Sequence, residues 1–211
     1  MYEREKETLL AYSRKLLEYK LVSLSGGNIG WKVGENRFLV TPSAICYEDM
    51  CPNDIVLVDE MGNTIEGSRK PSSDLDALLY VFKTKLEVNA VIHTHQPYAT
   101  SVGLVEDSLP ACLVTLIDTN HQDVPVAPFT ISSDEGMGKV FIERCGKGNS
   151  VILRNHGVLC VGKTLYDALE NAVYLEESAK TYLMARGVGD VKLLTKEEIE
   201  MEDAPRGNYG Q

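Results

Sequence analysis

Ala90-Val91-Ile92-His93-Thr94-His95 is an apolar run that turns into two histidines separated by one residue. Strand side chains alternate between faces, so a buried strand here sends both imidazoles out on one face, where they can grip a single ion. His156 is the natural third partner. Val151-Ile152-Leu153 reads as a second buried strand leading into Arg154-Asn155-His156-Gly157, a turn from which a side chain can point across a sheet edge, and Val158-Leu159-Cys160-Val161 follows it. Three neutral imidazoles leave a tetrahedral zinc one open position, the catalytic arrangement rather than the structural one. The bland alternative is three hydrogen-bonded core histidines. His121, in the polar stretch Asp118 to Asp123, reads as a loop residue.

Outward from these strands, helical and strand patterns alternate. Leu9, Leu10, Leu16, Leu17 and Leu21 mark an amphipathic N-terminal helix from Glu3 to about Leu21. Ser25 to Gly30 breaks it, and Trp31 to Val33 with Arg37 to Val40 reads as a hairpin. Ile55 to Val58 is a short buried strand. Leu75, Leu78, Leu79, Phe82 and Leu86 share a helix face, and Val124 to Val126 precedes a helix near Glu135 to Cys145. A long helix from Thr164 to Arg186 closes at Gly187, and Thr195 with Glu198 forms the capping box of a last short helix. No repeat or linker interrupts this, so residues 1–211 are expected to form one α/β domain.

Composition narrows the function. The chain has 211 residues, 44% hydrophobic and 25% charged, with 21 basic and 31 acidic residues giving a net charge of −10. An acidic surface repels polyanions, which argues against nucleic-acid binding. The charged N-terminus and the absence of a long apolar run argue against export and membrane insertion. Five cysteines without paired spacing fit a reducing cytoplasm. A phosphorylated ligand would have to be met by local backbone N–H groups and hydroxyls.

Two stretches could supply them. Ser25-Gly26-Gly27-Asn28 reads either as a hairpin turn or as a phosphate-binding turn. In Lys70-Pro71-Ser72-Ser73-Asp74, Ser72 or Ser73 caps the next helix, or both hydroxyls join its N-terminus in binding phosphate. Asp74 is by default a first-turn acid favoured by the helix dipole, and alternatively a general base beside a metal.

The ordered set Ser25-Gly26-Gly27-Asn28, Thr41-Pro42-Ser43, Lys70 to Asp74, His93-Thr94-His95, Asn155-His156-Gly157 and Tyr209-Gly210 resembles the class II aldolase/adducin-head family, within it the L-fuculose-phosphate aldolase and L-ribulose-5-phosphate 4-epimerase branches. The resemblance implies a three-layer α/β/α domain around a mainly antiparallel sheet, and a cytoplasmic homotetramer with active sites between subunits. It implies zinc on His93, His95 and His156, with substrate phosphate on Gly27, Asn28, Ser43, Ala44, Ser72 and Ser73. The implied chemistry is retro-aldol cleavage of the C3–C4 bond of a phosphorylated ketose through an enediolate held on the metal. Asp74, Asp118 and Tyr209 are the implied proton-transfer residues. Asp74 stands where the aldolases carry Glu and the epimerases Asp, and Asp118 falls at an epimerase aspartate. Thr41 and the short chain suit the aldolases, and Ala44 replaces a glycine. The adducin head, a cytoskeletal relative, is the non-enzyme alternative, and it lacks the complete histidine set.

Overall fold

A computed structural model of the protein describes residues 1–204. Its strands are β1 (Asn28–Gly34), β2 (Arg37–Val40), β3 (Val56–Val58), β4 (Thr64–Glu66), β5 (Ala90–Thr94), β6 (Ser108–Leu109), β7 (Val124–Ala127), β8 (Ser150–Leu153) and β9 (Gly157–Gly162). They form a nine-stranded sheet in the order β4-β3-β2-β1-β5-β9-β8-β7-β6. The β7/β8 pair is parallel and the other described pairs are antiparallel.

Period-two alternation divides the core between the two faces of this sheet. Leu39, Leu57, Ala90, Ile92, Val158 and Cys160 pack on one side, with residues of α1 (Glu3–Glu18), α3 (Pro97–Val105), α4 (Val114–Asn120) and α6 (Leu165–Arg186). Their strand neighbours Val40, Val56, Val91, Leu159 and Val161 point the other way, onto α2 (Leu75–Thr84) and α5 (Gly136–Cys145). The result is the three-layer α/β/α arrangement with a mostly antiparallel sheet. His93 follows the parity of Val91 and emerges on the α2 side, at the centre of the sheet.

Several elements differ from the sequence reading. Strand β1 starts at Asn28, inside the expected turn, and β5 stops at Thr94, leaving His95 just beyond it. The stretches of α3 and α4 gave no helical signal. In α3 the exposed Leu104 and Val105 blur the apolar stripe. Helix α4 has seven residues, VTLIDTN, whose β-branched Val114, Thr115, Ile117 and Thr119 are poor helix formers. Helix α6 starts at a Thr164/Asp167 capping box and meets Gly187 with φ −68°, so Gly187 ends it in right-handed rather than left-handed geometry. The Thr195/Glu198 box opens α7 (Lys196–Glu202) as expected.

Candidate active site

Strands β5 and β9 run antiparallel with Thr94 opposite Val158, so the end of β5 lies beside the start of β9. Strand β8 pairs Leu153 with Gly157 and leaves a three-residue turn, held by the His156 N–H donating to the Leu153 carbonyl at 3.1 Å. That turn needs a left-handed residue, and Asn155 supplies it at φ 60°. It sets His156 next to the two β5 histidines. Ring centroids are 4.9 Å apart for His93 and His95, 4.7 Å for His93 and His156, and 5.1 Å for His95 and His156. One ring nitrogen from each falls within a 4.8 Å group.

Close packing of backbone against the end of β5 dictates two glycines. A Cβ at Gly157 would stand 2.3 Å from the Thr94 carbonyl oxygen, and one at Gly27, whose φ is +83°, would stand 2.5 Å from that of His93. The Nδ1–H of His93 donates to the Val158 carbonyl at 2.8 Å, so Nε2 keeps its lone pair and faces His95 Nε2 at 3.0 Å. Burial, and secondly the charge of a protonated His156, push His93 down to about 4, and burial lowers His95 and His156 as well. All three rings are therefore neutral near pH 7, as ligand imidazoles must be. Without a metal His95 can donate an Nε2–H to that lone pair, and with Nε2 free it converges with His93 and His156 on one point, as the ligands of a single cation do. The donor set fits a metal ion.

Asp74 stands at the N-cap of α2 with an oxygen 4.0 Å from His93 Nε2, and that same Oδ2 accepts from Asn28 Nδ2 at 2.7 Å. Asn28 is opposite His93 in the β1/β5 register. Beside them two straps are zipped together, Ser43 N–H to the Lys70 carbonyl and Ser72 N–H to the Thr41 carbonyl, both at 3.0 Å. They border a cavity of about 190 Å³ that also touches Gly26, Gly27, Asn28, Asp74, His95 and His156. Five serines line it, Ser25, Ser43, Ser72, Ser73 and Ser132, and no lysine or arginine is among its described lining residues. Ala44 lies there at φ 58°, the left-handed conformation that explains why a glycine is expected at this place.

The model of the Class II Aldolase and Adducin N-terminal domain matches residues 7–183. The chain belongs to this family. It is similar to the 5-deoxy-D-ribulose 1-phosphate aldolase of Bacillus thuringiensis, 30% identical over all of this chain and 99% of that protein. A solved L-fuculose 1-phosphate aldolase is 31% identical over 94% of this chain and 93% of its own, with a TM-score of 0.88. The L-fuculose-1-phosphate aldolase of Thermus thermophilus shares the fold, with a TM-score of 0.75 and 24% identity over 86% of this chain and 95% of that one.

The cavity thus joins nine of the twelve candidate residues of this family member that are expected to bind phosphate, metal or protons: all six phosphate candidates, Asp74, His95 and His156, with buried His93 touching the last two. Asp118 is elsewhere, exposed on α4 in a cleft with His121, Glu170 and Asp203. Tyr209 lies outside the described residues. His121 ends α4 at φ 61° and bonds Asp203 at 2.7 Å, a tie between α4 and α7 rather than a ligand. Sequence reading missed Ser132, whose only local signal was an unremarkable serine-rich loop before α5. No helix of the described residues is long and apolar enough to cross a membrane.

Proposed function

We propose that this family member is a zinc-dependent aldolase that reversibly cleaves the C3–C4 bond of a ketose 1-phosphate, of the L-fuculose 1-phosphate type, into dihydroxyacetone phosphate and an aldehyde. The observation that carries this reading is the convergence of His93, His95 and His156 with Asp74 on a cavity rimmed by serine hydroxyls. Zinc held by the three imidazoles supplies a Lewis acid for the substrate's carbonyl and adjacent hydroxyl.

The rest falls to the chain. Ser43, Ser72 and Ser73, with the backbone around Gly27, Asn28 and Ala44, bind the phosphate through hydroxyl and N–H donors. Cleavage removes a proton from the C4 hydroxyl and adds one at C3, and Asp74 handles the proton at C3. Tyr209 is the proposed donor and acceptor at the aldehyde oxygen. The single domain 1–211, the cytoplasmic setting and a homotetramer with sites between subunits belong to the same proposal. Exposed Phe129 and Ile131, close in sequence to the cavity residue Ser132, support an interface there.

A second reading, 4-epimerisation of L-ribulose 5-phosphate at the same site, is favoured by Asp74 standing where aldolases carry Glu. Asp118 would then serve the opposite face of the aldehyde. Incubation with a panel of ketose 1- and 5-phosphates, following triose phosphate and epimer in one sample, tests both. Release of dihydroxyacetone phosphate is the expected result. Rapid epimer formation without triose phosphate would transfer the assignment to the epimerase, and neither product with any ketose phosphate would sink both.

A further inference from the structure

Of the three clustered histidines, His93 sits on a strand ladder, paired with Asn28 on one side and Leu159 on the other. His95 lies past the last residue of β5, and His156 lies in the turn between β8 and β9, so strand pairing fixes neither side chain. Both lead to α3. His95 stands two residues before Pro97, where that helix begins, and the Glu176 carboxylate of α6 accepts the Tyr98 and Ala99 N–H groups at 2.9 Å each. The other end of α3 meets the residue two before His156. Arg154 Nη1 donates to the Gly103 carbonyl at 2.9 Å, and Nη2 donates to the Glu106 carbonyl at 3.1 Å and to Asp107 Oδ1 at 2.7 Å.

Arg154 follows the parity of Ile152, so its side chain leaves the sheet on the α3 side, away from the face on which His93 emerges. A helix of nine residues is marginal alone, so its ends are set by what they bond. Carboxylate at the amino end and guanidinium at the carboxyl end both suit its dipole. The seat is close as well: a Cβ at Gly103 would stand 2.7 Å from Ile152 Cγ2, so the helix cannot slide along β8 without moving the strand. The Asp107 side chain is fully exposed, and an ion pair to it contributes little, which leaves the two carbonyl bonds as the clamp. We propose that Arg154 is a positioning residue for the metal site, which by clamping the end of α3 couples the direction of His156 to that of His95 at the head of the same helix. This rests on the reading of the three imidazoles as zinc ligands, and it adds a residue behind the sheet to what sets their spread.

Zinc affinity, measured by competition with a chromophoric chelator, and the visible spectrum of Co²⁺-loaded protein report ligand geometry without turnover. Well below the unfolding temperature, neither responds to a loss of stability alone. In Arg154→Met, which keeps an apolar stem and loses the donors, zinc affinity should fall by about tenfold or more, and the Co²⁺ bands should shift or weaken. Arg154→Lys, with one ammonium in place of the fork, should recover part of both. Asp107→Asn should hold zinc affinity within about twofold. If Arg154→Met does not fold, Arg154→Gln is read in the same way. Wild-type zinc affinity and Co²⁺ spectrum in a folded Arg154→Met would overturn the inference and leave Arg154 a fastening of α3 alone. An equal loss in Asp107→Asn would also overturn it, by assigning the effect to the exposed ion pair. Cleavage assays on the same preparations keep the two ideas apart. Arg154-dependent zinc binding in a wild type that cleaves no ketose phosphate would leave the inference standing and remove the aldolase reading. Cleavage with Arg154-independent zinc binding would do the reverse, and wild-type protein that binds neither metal would overturn both.

Discussion

The Nδ1–H of His93 donates to the carbonyl of Val158 at 2.8 Å, across the β5/β9 pair. A backbone group in the middle of a sheet cannot turn away, so the bond fixes both the tautomer and the direction of Nε2. Behind the strand, Thr94 Oγ1 donates to Gln96 Oε1 at 2.6 Å, and Gln96 Nε2 donates to the Ala172 carbonyl of α6 at 3.1 Å. One turn further along α6, Glu176 accepts the Tyr98 and Ala99 N–H groups at 2.9 Å each, capping α3 directly after His95. The strand end that carries two histidines is held from both faces.

Purified protein should therefore carry about one zinc per chain, and a His93→Ala, His95→Ala variant should carry none while remaining folded. Two apolar clusters, one on each face of the sheet, stabilise the fold without the metal. Elemental analysis with circular dichroism checks both halves. Undiminished zinc in the variant would remove the site, and an unfolded variant would make the metal structural.

Ser72 and Ser73 are both assigned to the phosphate but should differ in their effect on stability. The Ser72 hydroxyl accepts the Asp74 N–H at 3.2 Å and is buried, whereas Ser73 is exposed to the cavity. Ser72→Ala should lower stability by about 0.5–2 kcal/mol, the usual cost of losing a side-chain acceptor at a helix start. Ser73→Ala should leave thermal unfolding unchanged and weaken phosphate binding by about 1.5–3 kcal/mol. Wild-type phosphate affinity in Ser73→Ala would contradict the assignment.

The strands around the histidines, β5, β8 and β9, were legible because each is short, largely apolar and fully buried, and because a strand's period of two converts H-x-H into a shared face. The turn at His156 was legible from Gly157. What local sequence could not carry was distance along the chain: Asn28 meeting Asp74 depends on β1 pairing with β5 and on α2 beginning at that spot, and neither residue announces the other. Helix α4 was hidden by its β-branched residues, and with it the true setting of Asp118, which reads as a loop acid until Leu116 and Ile117 are seen buried beneath it. Ser132 was invisible because a loop serine has no pattern to betray it.

Asp118 gives a prediction of a different kind. It is exposed on α4 and does not line the histidine cavity of its own chain. Asp118→Asn should leave zinc content, inorganic-phosphate affinity and retro-aldol cleavage unchanged. Loss of cleavage with zinc retained would show that Asp118 serves the common step from a second copy of the chain, and selective loss of epimer formation would favour the epimerase.

Two acid-sensitive features should titrate in separate windows. Hydrogen bonding from Lys6 holds Glu66 down at about 2, against an ordinary value of 4.5, in a contact that ties α1 to β4. A depressed carboxylate contributes stability above its unfolded value and loses it as pH falls through the folded one, so this tie is intact at pH 5 and gone near pH 2. His93, at about 4 against 6.5, is also depressed, but it is a base. The unfolded chain takes up its proton first, so metal-free protein should lose stability as pH falls from 6.5 towards 4. Thermal unfolding of metal-free wild type, Glu66→Gln and His93→Ala across pH 2–8 checks this. The Glu66→Gln deficit should be constant above pH 5 and close between 4.5 and 2, while His93→Ala should flatten the slope between 6.5 and 4 and leave the lower window alone. A Glu66→Gln deficit that persists at pH 2 would show that the contact acts through packing of the Lys6 stem rather than through charge.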